Sequence, residues 1–472
     1  MSLLVAVAAL CASGLALLGL LGLGTGHRAA DVPLAWLVGS GWFALAAFAL
    51  RFLGGVSYTA PLAVAILAAP VAGLVAARAS RRGVGNRPAA APATGAPESP
   101  RWVPGPAWLF GPLAAYVAAT AVAVALHGAN TPTHTDDGFR VRAFAPMLAF
   151  DDAWGSAARA VLVMAGPVPT YVPSLGWRLW GTVDHLHVNG VVLVDLVALL
   201  ALTVALASAR GRPERGWAGA FALLSIPLFV YHCTSTYSDA VLAIHIGAAF
   251  VFLLEYGRRR DPGDAARALV LLVVASMVKR EGAIVAAAVA AVLVAQVAWS
   301  GHRAGRSPLR RLGLLSLPFA VALVALVAAV GVADAFPLLK LAAERTSASA
   351  VPSSAPPSRA LHSEALRVFV EALFSDGNAG LVFWALAAAV PLLLPDWRRR
   401  GLAWPLLAVG LLLVENAVTA LWLVPAYTVD HATVHRALLP ASVAAALWVA
   451  ALMADPEPAA DAGQISSPPN VV

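Results

Sequence analysis

At 472 residues the chain is long enough for several domains, yet 60% of it is hydrophobic and only 12% is charged, whereas roughly a quarter of the residues of soluble domains are charged. That balance excludes a soluble globular domain and identifies a polytopic membrane protein. The net charge of +7 comes from arginines that punctuate the apolar runs, so it reports orientation in a membrane and gives no reason to expect a nucleic-acid partner.

Apolar runs of spanning or near-spanning length fall at 3–24, 34–52, 59–77, 107–126, 188–208, 217–231, 239–256, 267–278, 283–299, 312–333, 380–394, 402–424 and 436–453. The expectation is an all-α chain of about 13 transmembrane helices. The first run lacks a basic leader and a clear cleavage site, so it reads as a retained helix. The two cysteines, Cys11 and Cys233, form no metal-binding or redox spacing.

Arginines cluster in the loops at 78–101, 210–215, 258–267, 303–311 and 398–400. These alternate correctly along the chain and define the cytoplasmic side. The segments 128–187, 232–238, 279–282, 334–379 and 425–435 then face the other way. Five parts follow: a three-helix membrane segment at 1–78, a cytoplasmic Pro/Ala/Arg linker at 79–106, a membrane module at 107–300, C-terminal helices at 301–453 with an outer loop at 334–379, and a disordered tail at 454–472. The first outer loop carries Phe139, Phe144, Met147, Leu148, Phe150 and Trp154 at rough helical spacing, which suits an interfacial amphipathic helix. The second has a Ser/Pro-rich centre followed by a short surface helix.

The polar residues of the non-cytoplasmic side are the candidates for chemistry. Asp136 and Asp137 form a carboxylate pair just beyond the run that ends near Leu126, with His134 and Arg140 beside them. Tyr237-Ser238-Asp239 opens the run at 239–256. Ser238 or Asp239 would serve as a helix N-cap, and Asp239 is also placed to line a cavity with Tyr237; His232 is a weaker candidate in the same loop. Lys279-Arg280-Glu281-Gly282 interrupts an apolar stretch, and Lys279 is one of two lysines in the chain. Adjacent cations at that depth suit a phosphate, although snorkelling towards lipid headgroups is the plainer explanation. Asp430-His431 and His435-Arg436 open the last run; Arg436 is a candidate second phosphate contact, while the histidine pair has weak metal-binding spacing and reads as solvent-exposed capping. Asp195, His245 and Glu415 lie within runs and read as structural partners.

Taken in order, these residues resemble the GT-C superfamily of integral-membrane glycosyltransferases, which includes polyprenyl-phosphate-sugar-dependent mannosyltransferases. The likeness covers roughly 107–300: Asp136-Asp137-Gly138-Phe139 in a long outer loop, Val168-Pro169-Thr170-Tyr171-Val172-Pro173 leading to Leu179-Trp180-Gly181, then Tyr237-Ser238-Asp239 and Lys279-Arg280-Glu281-Gly282. The resemblance implies a multi-pass enzyme of the bacterial plasma membrane. It would move a sugar from a polyprenyl-phosphate carrier to a lipid, glycan or protein acceptor on the non-cytoplasmic face, with inversion. It further implies Asp137 or Asp136 as the general base or as the ligand of a divalent ion, Mg or Mn, in members that use one. Lys279, Arg280 and Arg436 would hold the carrier phosphate, and Asp239, Tyr237, His134, Arg140, Glu281 and His431 would line the substrate cavity. The rival expectation is a transporter or lipid flippase with an outward-facing polar cavity.

Overall fold

The computed structural model describes residues 2–54, 56–83, 107–130, 166–180, 185–234, 237–279, 281–303, 359–397, 401–423 and 432–454. Among these there is no strand. The helices are α1 (Ser2–Leu21), α2 (Arg28–Gly54), α3 (Ala60–Gly83), α4 (Ala107–Asn130), α5 (Pro167–Trp180), α6 (His185–Ala209), α7 (Pro213–Leu224), α8 (Pro227–Thr234), α9 (Ser238–Arg259), α10 (Pro262–Ser276), α11 (Gly282–Arg303), α12 (Arg359–Phe374), α13 (Val382–Trp397), α14 (Ala403–Val418), α15 (Ala432–Ala437) and α16 (Leu439–Met453), with a π-turn at Thr419–Leu423 after α14.

Eight of these helices are long and apolar enough to cross a membrane: those containing Leu3–Leu21, Arg28–Arg51, Ala60–Ala79, Gly111–Gly128, Asn189–Ala209, Ser238–Arg259, Gly282–Ser300 and Ala403–Leu421. The run expected as one span at 217–231 is instead α7 and α8, which meet at a 75° bend and would make a ninth span if counted together. Proline at the start of α8 explains the break. Pro213 and Pro227 each sit at the first position of a helix, where their missing N–H costs nothing, and the chain cannot run straight through Pro227. The run at 267–278 becomes α10, of 15 residues, starting at Pro262 behind Asp261, whose carboxylate caps the helix by accepting from the Gly263 N–H at 2.9 Å. The run expected at 312–333 lies outside the described residues, as do 84–106, most of the first outer loop and the tail beyond 454. The beginning of the expected linker, to Gly83, continues α3. The surface helix expected after the Ser/Pro-rich segment is α12.

The bundle is organised around α9. Every residue of its apolar window is buried, so it faces other helices, not lipid; it packs against α6, α10, α14 and α16. Its 22 residues span about 33 Å at 1.5 Å per residue, close to the ~30 Å hydrocarbon thickness of a bilayer. Two polar structures therefore lie one membrane thickness apart, at its two ends.

At the C-terminal end, Asp264 of α10 is fully buried and accepts from Arg210 at 2.9 Å and from Arg267 at 2.7 Å. The Arg267 Nε donates to the Leu23 carbonyl at 2.7 Å, and Glu255 of α9 faces Arg210 and Arg258, each at 3.5 Å. The network joins the α1–α2 turn to the ends of α6, α9 and α10. Within the apolar part, Trp36 of α2 donates to the Asp195 carboxylate of α6 at 2.6 Å, and the His245 Nδ1 bonds the Val241 carbonyl at 2.9 Å. These groups stay inside the bundle as partners for one another and for the backbone.

Helices α1 and α2 cross at glycines. A Cβ on Gly39 would collide with the Leu10 carbonyl, and one on Gly14 with the Ala35 carbonyl, so the two backbones touch where small residues allow it, as membrane helices do. Gly39→Val should therefore separate α1 from α2 and cost about 1–3 kcal/mol, the usual penalty of overpacking. A thermal melt of the purified protein reads this as a drop of several degrees; an unchanged melting temperature would show that the crossing is not made through Gly39.

Candidate functional site

The N-terminal end of α9 carries the second polar structure. Asp239 was expected either as an N-cap or as a cavity residue. The cap position belongs to Tyr237, which makes no side-chain capping bond, and Asp239 is at the second helical position. There its charge suits the helix dipole, but the carboxylate is engaged elsewhere. One oxygen accepts from Lys279 Nζ at 2.6 Å and the other from Arg436 Nε at 2.9 Å. Its side chain is 5% exposed, against 19% for Lys279 and 30% for Arg436. A buried carboxylate thus holds two cations that sit nearer the rim.

Three separate stretches of sequence meet here. Lys279 comes from the turn between α10 and α11, Asp239 from the start of α9, and Arg436 from α15. The Lys279 turn is anchored by backbone bonds: Val278 N–H donates to Ala275 and Gly282 N–H to the Lys279 carbonyl. Gly166 and Val168 approach the same turn, Val168 N–H donating to the Met277 carbonyl at 3.3 Å. Glu281 stands 3.9 Å from Lys279 with its side chain 46% exposed. Burial pulls the Lys279 ammonium towards neutrality, but the Asp239 carboxylate, and Glu281 after it, outweigh this and raise its pKa above 10.5.

Tyr237 supplies an aromatic floor. Its ring lies 4.9 Å from the Arg436 guanidinium and stacks on His232 at 4.2 Å, combining cation–π and ring contacts. His232 and Cys233 were expected in a loop; both are in α8 and buried. His435 was expected as a solvent-exposed cap, yet it is buried and its Nε2 lies 2.9 Å from an Asp376 carboxylate oxygen. Asp376 was not singled out in the sequence; nothing there marks it beyond a turn-forming Ser375-Asp376-Gly377-Asn378. The same turn reaches the α7–α8 break, where Leu228 N–H donates to the Asn378 carbonyl at 3.0 Å. It thereby satisfies one of the N–H groups left open at the start of α8. The Asp376 turn, the broken span and α15 are thus tied together beside Arg436.

Of the residues expected to act, Asp239, Lys279, Arg436, Tyr237 and Glu281 are gathered at this end. Asp136, Asp137, His134, Arg140, Arg280 and His431 lie outside the described residues. The Val168–Pro173 stretch forms part of α5 and lines a small cleft together with Ser40, Asp195 and Ser238, the residue next to Asp239. Among the described residues no three His, Cys, Asp or Glu side chains are grouped to hold a metal. Asp239, lodged between two cations, is unsuited to accept a third. The pair expected as ligands of a divalent ion, Asp136 and Asp137, lies outside the described residues.

No family model, curated protein or solved structure matches this chain.

Chemically, the arrangement fixes two cationic heads against one carboxylate in a poorly hydrated place. Asp239, Lys279 and Arg436 together carry one excess positive charge, which Glu281, its Oε2 3.9 Å from Lys279 Nζ, offsets. The two cations lie nearer the rim than the carboxylate. Asp239→Asn should leave the two cations repelling each other and cost about 3–5 kcal/mol, as removal of one partner from a buried ion pair does. In a double-mutant cycle with Arg436→Gln, the two losses should overlap by at least ~0.5 kcal/mol; strict additivity would mean that the bridge contributes nothing. Because the folded pKa of Lys279 is raised, its stabilising share is fully present below 10.5 and declines only as pH rises through the raised value.

Proposed function

We propose that this protein is an integral-membrane glycosyltransferase of GT-C type that takes a sugar from a polyprenyl-phosphate carrier. The observation that carries the reading is the convergence of Lys279 and Arg436 on Asp239 at one end of a membrane-length helix, with the arginine network at the other. By the positive-inside rule the arginine-rich end is cytoplasmic, so the anion-receiving end faces out, where lipid-linked sugars are consumed. Bacterial plasma membrane is the matching location. Membrane lipids surround the bundle and supply the carrier's tail with an apolar path.

In this reaction an acceptor hydroxyl attacks the anomeric carbon as the bond to the carrier phosphate breaks. The bonding pair leaves with the phosphate, and the hydroxyl proton passes to a carboxylate of Asp136 or Asp137. Negative charge grows on the departing lipid phosphate, and cations already fixed near it stabilise that charge without reorganising. Asp239 is a positioning residue in this account: it keeps Lys279 and Arg436 side by side against their repulsion. Tyr237 holds the Arg436 plane. A single displacement inverts the anomeric centre. A divalent ion held at Asp136 and Asp137 would supply further charge neutralisation when bound.

One observation favours a second reading. The 75° break between α7 and α8 beside the polar cluster is the kind of interrupted helix on which carriers build substrate sites, so a lipid flippase or transporter is the alternative. Reconstituted liposomes separate the two: vectorial movement of a polyprenyl-phosphate lipid with no product formed would select the carrier.

Two predictions follow from the transferase reading, each measured as transfer from a synthetic polyprenyl-phosphate sugar in nanodiscs. Lys279→Ala and Arg436→Ala should each lower kcat/KM by about 30-fold or more, the equivalent of roughly 2–5 kcal/mol for an unpaired phosphate at a low-dielectric surface. Arg436→Lys should recover part of the loss, since a planar fork becomes a point charge. Normal turnover in both alanine variants would remove the phosphate assignment. Asp136→Asn and Asp137→Asn should differ, with Asp137→Asn losing about 100-fold or more, the share of a general base. Full activity in the single and double variants would take the base away from this pair.

A further inference from the structure

A small cleft lies behind the Asp239 cluster, between α2, α5, α6 and the first turn of α9. Its polar lining is Ser40, Asp195 and Ser238, and the rest is valine together with Pro169 and Pro173. It holds about 20 Å³, room for a single water-sized group. We infer that the cleft binds one ordered water, which joins the Ser40 hydroxyl to the second oxygen of Asp195 and to the Pro169 carbonyl.

Each of these groups is one bond short. Ser40 is 1% exposed, and its hydroxyl has no hydrogen-bond partner in the protein, although a helical serine commonly donates to the carbonyl four residues back. Trp36 stands four residues before it, on the same face of α2, and donates to one oxygen of Asp195 at 2.6 Å. Ser40 and Asp195 thus border one cleft without bonding each other. The other oxygen of Asp195 receives no hydrogen bond among the described residues, and the residue is only 3% exposed. On α5, Pro173 has no N–H, so the Pro169 carbonyl lacks its helical donor.

Donors and acceptors balance around one water. It accepts from the Ser40 hydroxyl and donates its two protons to Asp195 and to the Pro169 carbonyl, which makes about three bonds, the usual number for a buried water. Leaving a hydroxyl and a carboxylate oxygen dry costs more than holding one water still. A divalent cation takes about six oxygens, more than this lining offers. The water therefore ties α2, α5 and α6 together directly behind Ser238, and so supports the head of α9 that carries Asp239. Nothing in this assignment depends on transferase chemistry.

X-ray radiolytic footprinting of the full chain in nanodiscs, read by mass spectrometry, tests the inference, because hydroxyl radicals made from an ordered water mark the side chains beside it even where these are buried. Val172 and Val192, in the cleft, should be oxidised several-fold faster than Val289 and Val443, which are also buried but do not line it. Val192→Ile adds one methylene to the wall and leaves Ser40 and Asp195 in place; it should bring Val172 down to the rate of Val289 and lower the melting temperature by several degrees, since the polar groups lose their water. Ser40→Ala, which only removes a partner, should slow oxidation of Val172 and Val192 several-fold. A dry cleft gives the opposite results: no excess oxidation in the wild type, and an unchanged or higher melting temperature for Val192→Ile as the methylene packs into the space. Either result would overturn the water. Wild-type oxidation in Ser40→Ala would overturn Ser40 as its partner, and a melting temperature that rises in sodium chloride but not in choline chloride would replace water by a cation as the occupant.

Discussion

The bridge from Asp239 to Lys279 and Arg436 is the interaction on which the polar end of the molecule depends. A carboxylate 5% exposed at the tip of a helix whose apolar window is entirely buried cannot rest on solvation, and two cations brought close together cannot remain so without it. Each group therefore makes the others tolerable. The bridge spans three chain segments far apart in sequence, so it also fastens the α10–α11 turn and α15 to the head of α9. A mutation at any of the three changes both the shape and the charge of this end, and rescue by conservative variants is what separates the two effects.

The two ends of α9 solve the same problem in different ways. At the arginine-rich end the charges are extended into a network that ties the α1–α2 turn, α6, α9 and α10 together, with Asp264 fully buried between two arginines. At the other end the cluster is compact, with its cations closer to the rim than its carboxylate. A network spread over several helix ends fixes helix positions, whereas cations displayed outward from a single buried anion leave positive charge facing whatever approaches. This asymmetry, more than any single residue, distinguishes the Asp239 end.

Local errors in reading the sequence have physical causes. The run at 217–231 is apolar throughout, and hydropathy reports burial without direction, so the bend at Ser225–Pro227 was invisible to it; Pro227 was the available signal. Ser238 and Asp239 have the residue types of an N-cap, and only the approach of Lys279 and Arg436 shows why the carboxylate turns away from the backbone. His435 has an exposed look in sequence because it neighbours Arg436, yet Asp376, contributed by another element, makes it a buried partner.

What the sequence determines by itself is the class of the molecule: too apolar and too weakly charged for water, and all-helical, because transfer to a bilayer depends on composition summed along each segment. It also exposes Asp239, Lys279 and Arg436 as polar residues at the ends of apolar runs, since such residues are rare and costly there. Tertiary structure alone decides that they meet. Ion pairing acts over a few ångströms in space, and residues 40 and 197 positions apart share that distance only after α9, α10 and α15 have packed.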